Sequence, residues 1–275
     1  MDTQQIVQSL SYITWLLLGS LALGSFALAW LLRQTTDATS GFVGFSGVLA
    51  GFIGAFWLLT ELGLPLPSEL AIESGADLDQ PRRIAVGLFT LLAFVSGWRQ
   101  ARGGRATWLG AGAIVAGIAA MAIGAYGWGG GSSLAVSLLV HFLAVSAVTG
   151  GSLGAVVLAH WYLVTPKISD RPLILTTKLL MWALAIQLLL FSAWLASGIP
   201  DREPFEVLTG SNAVFVWLRL TVGLIFPLVL VWMAYRTALT RSMESATGLL
   251  YIEFAAVLAS TIVAAGLVFA EGLLV

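Results

Sequence analysis

The sequence predicts an all-α integral membrane protein of eight transmembrane helices. Three observations carry this reading. Hydrophobic residues make up 59% of the 275-residue chain and charged residues only 10%, whereas soluble proteins carry about 25% charged residues. Apolar stretches long enough to cross a hydrocarbon core of about 30 Å recur along the whole chain, and mean hydropathy is +0.95. None of them alternates apolar and polar residues as a transmembrane barrel strand does, so their backbone groups must pair within each segment as helices.

The expected spans are 9–33, 41–63, 83–99, 106–127, 133–164, 172–197, 212–235 and 246–273. The first follows Met1-Asp2-Thr3-Gln4-Gln5, which lacks the basic region and small-residue cleavage site of a signal peptide, so it reads as a retained helix. The second leaves the membrane through Glu61-Leu62-Gly63-Leu64-Pro65, and the sixth through Ser197-Gly198-Ile199-Pro200. The fifth is unusually long and carries Thr149-Gly150-Gly151-Ser152 at its middle, a cluster that favours close packing. The seventh holds Pro227, the one proline interior to a span. Small residues four apart, at Ser20/Gly24, Gly47/Gly51, Ala116/Ala120/Gly124 and Gly150/Gly154, predict close helix contacts elsewhere.

Charge sets the expected orientation. One set of loops holds Arg33, Arg99, Arg102, Arg105, Lys167, Arg171, Lys178, Arg236 and Arg241. The other holds Arg82, Arg83 and Arg202, with Arg219 just inside the seventh span, and is rich in acid: Glu69, Glu73, Asp77, Asp79, Asp201, Glu203 and Glu206. Lys and Arg accumulate on the cytoplasmic side, which places both termini outside a cell inner (cytoplasmic) membrane. The net charge of −1 without a basic run argues against a nucleic-acid partner. The absence of cysteine excludes disulfides, thiolate-bound metals and iron–sulfur clusters in this chain.

Residues 1–275 read as one transmembrane domain with a faint parallel repeat of 9–127 onto 133–273. Gly19-Ser20-Leu21 followed by Ala29-Trp30 matches Gly151-Ser152-Leu153 followed by His160-Trp161. Such a repeat would make two four-helix bundles.

Ionisable residues within spans are costly and mark candidate functional sites. They are Glu61, His141, His160, Lys178, Arg219, Glu253 and Glu271. At 1.5 Å per residue, His141 and Arg219 lie about 10–12 Å below the outer surface, and Glu61 ends the second span on the same side. These three could share a site that passes protons to the outside, in which Arg219 would keep Glu61 ionised. The competing pairing is Arg219 with Glu271. Glu253 lies about 10 Å in from the opposite side, where Gln187 or Thr177 is a candidate partner. His160, flanked by Trp161 and Tyr162, reads as part of an interfacial aromatic belt, and Lys178 as a snorkelling side chain. His141 and His160 share one helix about 28 Å apart, so they cannot be the two axial ligands of one haem b within the chain. With only two histidines, a metal site is not expected.

The stretch Gly51-Phe52-Ile53-Gly54-Ala55-Phe56-Trp57-Leu58-Leu59-Thr60-Glu61-Leu62-Gly63-Leu64-Pro65 resembles the second helix of the membrane-anchor subunits of dimethyl sulfoxide and polysulfide reductases. That family ends the helix in a His-Leu-Gly-x-Pro-like turn near its quinone, and Glu61 stands at the position of the histidine. Trp217-Leu218-Arg219 is similar to part of that family's final helix pair. The resemblance implies a non-catalytic, quinone-binding subunit of an electron-transfer complex, with redox partner subunits on the outer face, and makes Glu61, His141 and Arg219 the candidate quinone-binding residues. The alternatives from the residues are a small-molecule or ion transporter or channel, a haem-b cytochrome and a purely structural subunit.

Overall fold

The computed structural model describes residues 3–130, 133–165, 168–197 and 203–275. Eight helices are long and apolar enough to cross a membrane, and no strand occurs among the described residues. They are α1 (Thr3–Thr35), α2 (Ser40–Leu62), α3 (Asp79–Ala101), α4 (Thr107–Trp128), α5 (Ser133–Val164), α6 (Arg171–Ser197), α7 (Ala213–Leu239) and α8 (Met243–Glu271). The protein is an all-α membrane protein. Of the sequence features above, the Met1-Asp2 start, Lys167, Asp201, Arg202 and the Gly198-Ile199-Pro200 exit lie outside the described residues.

Helices α1 to α4 pack as neighbours in a ring of contacts, α5 to α8 do likewise, and α1 against α5 is the main seam between the two groups. That seam is built from small residues. A Cβ added at Gly150 would stand 2.6 Å from the Ser25 backbone nitrogen, so the α1 and α5 backbones touch there. In lipid no hydrophobic drive separates helix from tail, and such close approach is what holds helices together. The Thr149–Ser152 cluster does this without breaking α5, which runs continuously from Ser133 to Val164.

Thr39 caps α2 by accepting from the Phe42 amide at 3.3 Å. Gly272, at φ +68°, closes α8 in the left-handed region, and the Leu273 amide donates back to the Leu267 carbonyl at 2.9 Å. One irregularity stands out inside a span. Residues Thr221–Ile225 of α7 form a π-helical turn, immediately before Pro227. Proline has no amide hydrogen and crowds the carbonyl four residues back, here that of Gly223, and the widened turn absorbs the conflict.

Because successive helices reverse direction, their ends gather on two faces. One carries the 63–78 connection and the acidic residues; the other carries Arg33, Arg99, Arg102, Arg105, Arg171, Arg236 and Arg241. The 63–78 connection folds over the helix ends: Tyr12 donates to the Pro65 carbonyl at 2.8 Å, the Ala71 amide to Phe269 at 3.0 Å and the Glu73 amide to Trp128 at 2.9 Å. Beneath it lies a packed aromatic core of Tyr12, Trp15, Trp57, Phe89, Trp128, Phe142 and Phe269.

Candidate functional site

Glu61 sits at the last turn of α2 and is fully buried. Its Oε2 accepts from Trp15 Nε1 at 2.6 Å and from Arg82 Nε at 2.8 Å. Arg82 also holds Asp79 at 2.8 Å and lays its guanidinium over the Trp128 ring, 4.7 Å from the centroid. The cation beside Glu61 is therefore Arg82, not Arg219. The sequence reading had left Arg82 in a loop because its third span began at residue 83. The helix begins at Asp79, which places an acid in the first turn where the helix dipole favours it, and Arg82 then faces inward.

His141, on α5, is 1% exposed and packs its ring 5.4 Å from Trp194 of α6. Its Nε2 has no hydrogen-bond partner among the described residues. Arg219, on α7, is 2% exposed. Its Nη1 donates to Ser260 Oγ of α8, at the level of the π-helical turn, while its Nε is buried without a partner. Glu271 does not take Arg219; it accepts from Asn212 Nδ2 at 3.0 Å. His141 and Arg219 both lie in the α5–α8 group, whereas Glu61 belongs to a separate ion pair at the α1–α4 ends.

Gln187 joins the former. It lies on α6 one turn pair before Trp194, is buried, and leaves its Oε1 unpartnered. A lone amide in an apolar helix is a legible signal. An apolar groove of about 460 Å³ runs between α1, α4, α5 and α6. Leu28, Ile118, Ala144, Ala147, Trp182 and Ile186 line it. Trp182 and Ile186 are also exposed on the lipid-facing surface. Ala144 lies one turn from His141, and Ile186 adjoins Gln187.

Glu253, on α8, is fully buried. Neither Gln187 nor Thr177 is its partner: Ser152 Oγ of α5 donates to its Oε1 at 2.6 Å, and Oε2 is free. Thr177 instead donates to the Leu173 carbonyl at 3.0 Å, the usual outlet for a hydroxyl in a helix. His160 is exposed near the basic face, 3.4 Å from the Tyr251 hydroxyl, and Lys178 is exposed as well. No group of three His, Asp or Glu residues suited to a metal occurs among the described residues. Both histidines lie on the unbroken α5.

No family model, curated protein or solved structure matches the chain.

Proposed function

We propose that the protein is a quinone-binding membrane subunit of an electron-transfer complex, with the head group held between His141, Gln187 and Arg219. The observation that carries this is the unfilled bonding capacity of three neighbouring helices: His141 Nε2, Gln187 Oε1 and Arg219 Nε are all buried without partners. Buried polar atoms are ordinarily paired, so each orphan asks for a ligand or water. A quinone supplies what they lack, with two carbonyl acceptors for the imidazole and guanidinium, and its hydroxyls as quinol for the amide oxygen. The lipid-open groove one turn away suits an isoprenoid tail, since ligand sites combine apolar walls with a few placed polar groups.

In this reading Glu61 is not a head-group ligand; Arg82 and Trp15 occupy its inward oxygen. The basic face lies in the cytoplasm of a cell inner membrane, both termini are outside, and redox partner subunits dock on the acidic outer face, where the 63–78 connection lies. A transporter reading is favoured by one feature, the π-helical turn of α7 against Ser260, because such turns mark sites of local rearrangement.

Quinone content decides between them. Protein purified in mild detergent should retain quinone on solvent extraction and chromatography, and His141→Ala should lose it while remaining monodisperse. Wild-type protein that neither retains quinone nor takes up an added short-chain ubiquinone or menaquinone analogue overturns the proposal.

A further inference from the structure

Between α5 and α8 runs a row of buried polar contacts that meets the quinone site only at Arg219. At the basic face the two helices open on a polar cavity of about 780 Å³ lined by Tyr162, Leu163, Arg241, Ser242, Met243 and Glu244. Going inward, Thr247 Oγ1 donates to the Ala159 carbonyl at 3.2 Å. Leu250, buried, follows one turn later. Then come Glu253 with Ser152, and Thr149 with Thr261 at 2.6 Å. The row ends where Arg219 meets Ser260.

We infer that Glu253 is an intramembrane proton-binding site loaded from the basic face through the α5–α8 cavity, with Arg219 as the positive barrier that stops protons from continuing outward. Glu253 differs from Glu61 in the one respect that matters. Glu61 is paired with a guanidinium, whereas the hydrogen-bond partner of Glu253 among the described residues is the neutral Ser152 hydroxyl. The charged and titratable groups on the surrounding helices are Tyr12 and Arg33 on α1, His141, His160 and Tyr162 on α5, Arg171 and Lys178 on α6, and Arg219, Tyr235 and Arg236 on α7, with Glu244, Tyr251 and Glu271 on α8 itself. None of them hydrogen-bonds or ion-pairs with Glu253. Intramembrane carboxyls of this kind mark ion and proton relays. The free Oε2 is where a proton binds.

The transfer balances simply. A proton arriving by water from the cavity bonds to the carboxylate Oε2, and release returns it to water by the same route, with no change elsewhere. Leu250 lies between the Thr247 level and Glu253, so loading requires water to pass that side chain. Beyond Glu253 the hydroxyls of Ser152, Thr149, Thr261 and Ser260 continue the row for about 10 Å along α8. A fixed positive charge at its end repels protons, as it does in water-selective pores. The inference shares Arg219 with the quinone reading but needs neither His141 nor a bound ligand.

Two measurements test it. Dicyclohexylcarbodiimide, an apolar reagent that adds to protonated carboxyls, should modify Glu253 but not Glu61 in the intact protein, with labelling that falls as pH rises, read by peptide mass mapping. In liposomes containing a trapped pH dye, Arg219→Met should raise proton flux about tenfold over wild type, and Glu253→Gln added to it should return flux to the wild-type level. Glutamine keeps the acceptor for Ser152, so folding should survive the change. An unlabelled Glu253, a silent Arg219→Met, or a leak that persists in the double variant each overturns the inference. Quinone content, measured on Glu253→Gln alone, reports separately on the other site.

Discussion

Arg82 Nε donates to Glu61 Oε2 across 2.8 Å, and the two side chains are 2% and 0% exposed. This pair ties the last turn of α2 to the first turn of α3 beneath the 63–78 connection. Trp15 adds α1 through its indole hydrogen bond, and Trp128 adds α4 through its ring face. One carboxylate therefore fastens all four helices of the first group at their acidic end. Desolvating two charges costs several kcal/mol each, and mutual attraction repays it only when further hydrogen bonds complete the shell. Trp15 and Asp79 supply part of that shell here, while Glu61 Oε1 and Arg82 Nη1 lack hydrogen-bond partners among the described residues.

Arg82→Met should accordingly lower stability by about 3–5 kcal/mol, because it leaves Glu61 as an uncompensated buried charge. Adding Glu61→Gln should recover much of that loss. Thermal unfolding in detergent, followed by circular dichroism for the two single variants and the double, measures the coupling. Equal, additive losses would show that the pair is not the fastening.

Gly150→Val should separate the two helix groups. The branched side chain would meet the Ser20 and Gly24 backbones, which have no flexible end to yield. Overpacking costs about 1–3 kcal/mol when the surroundings can shift, and rigid backbone on both sides puts this site at the upper end. Gly87→Ala, in open space on α3, is the matched control and should leave the melting temperature unchanged.

The helices were legible because lipid imposes one requirement on every span, a long apolar run with internally paired backbone. Each expected span coincides with a helix to within a few residues. The largest difference is at α1, which begins at Thr3, six residues before the expected start, and at α3 the polar Asp79-Gln80-Pro81-Arg82 start hid four helical residues. The pairing of buried charges was not legible, for a physical reason. Depth along a helix follows from rise per residue, but partner choice depends on which way each residue faces and which helices adjoin. Glu61 and Arg219 are at similar depth, yet on different helix groups. Thus Arg82 took the place expected for Arg219, Ser260 the place expected for Glu271, and Ser152 that expected for Gln187 or Thr177. Hydroxyls supplied two of these three partners, and serine is too common in apolar spans to announce itself.

The purified chain should show no Soret band. His141 is enclosed by Phe142 and Trp194, and His160 is exposed at the far end of the same helix. Bis-histidine ligation needs two imidazoles facing one iron. A visible spectrum with a Soret band that vanishes in His141→Ala would reverse this expectation and install a haem where the quinone is proposed.

Reporter fusions should place the Arg99–Arg105 turn in the cytoplasm. Arg99, Arg102 and Arg105 sit on the basic face with Arg33, Arg171, Arg236 and Arg241, and positive residues near span ends set orientation. A fusion there that is active only outside the cell would invert the membrane sidedness. It would also change the direction from which Glu253 is loaded, while leaving its geometry intact.

Glu61→Gln should leave bound quinone unchanged, whereas Gln187→Leu and His141→Ala should each reduce it. The argument is one of bonding capacity. Glu61 Oε2 is already occupied by Trp15 and Arg82, and its Oε1 faces Arg83 at 3.9 Å, so a head group there would compete with two cations already on the carboxylate, even though Glu61 Oε1, Arg82 Nη1 and Arg83 Nε lack hydrogen-bond partners among the described residues. His141 and Gln187 each have an atom with no partner, so removing either takes away a contact that only a ligand can use. A hydrogen bond to a neutral partner is worth about 0.5–1.5 kcal/mol, which is roughly a threefold to tenfold loss of affinity. Loss of that size, with unchanged melting temperature, separates a head-group ligand from a packing residue. If Glu61→Gln empties the protein of quinone while His141→Ala retains it, the head group belongs at the acidic ends of α1 to α4 and the assignment to α5–α7 fails.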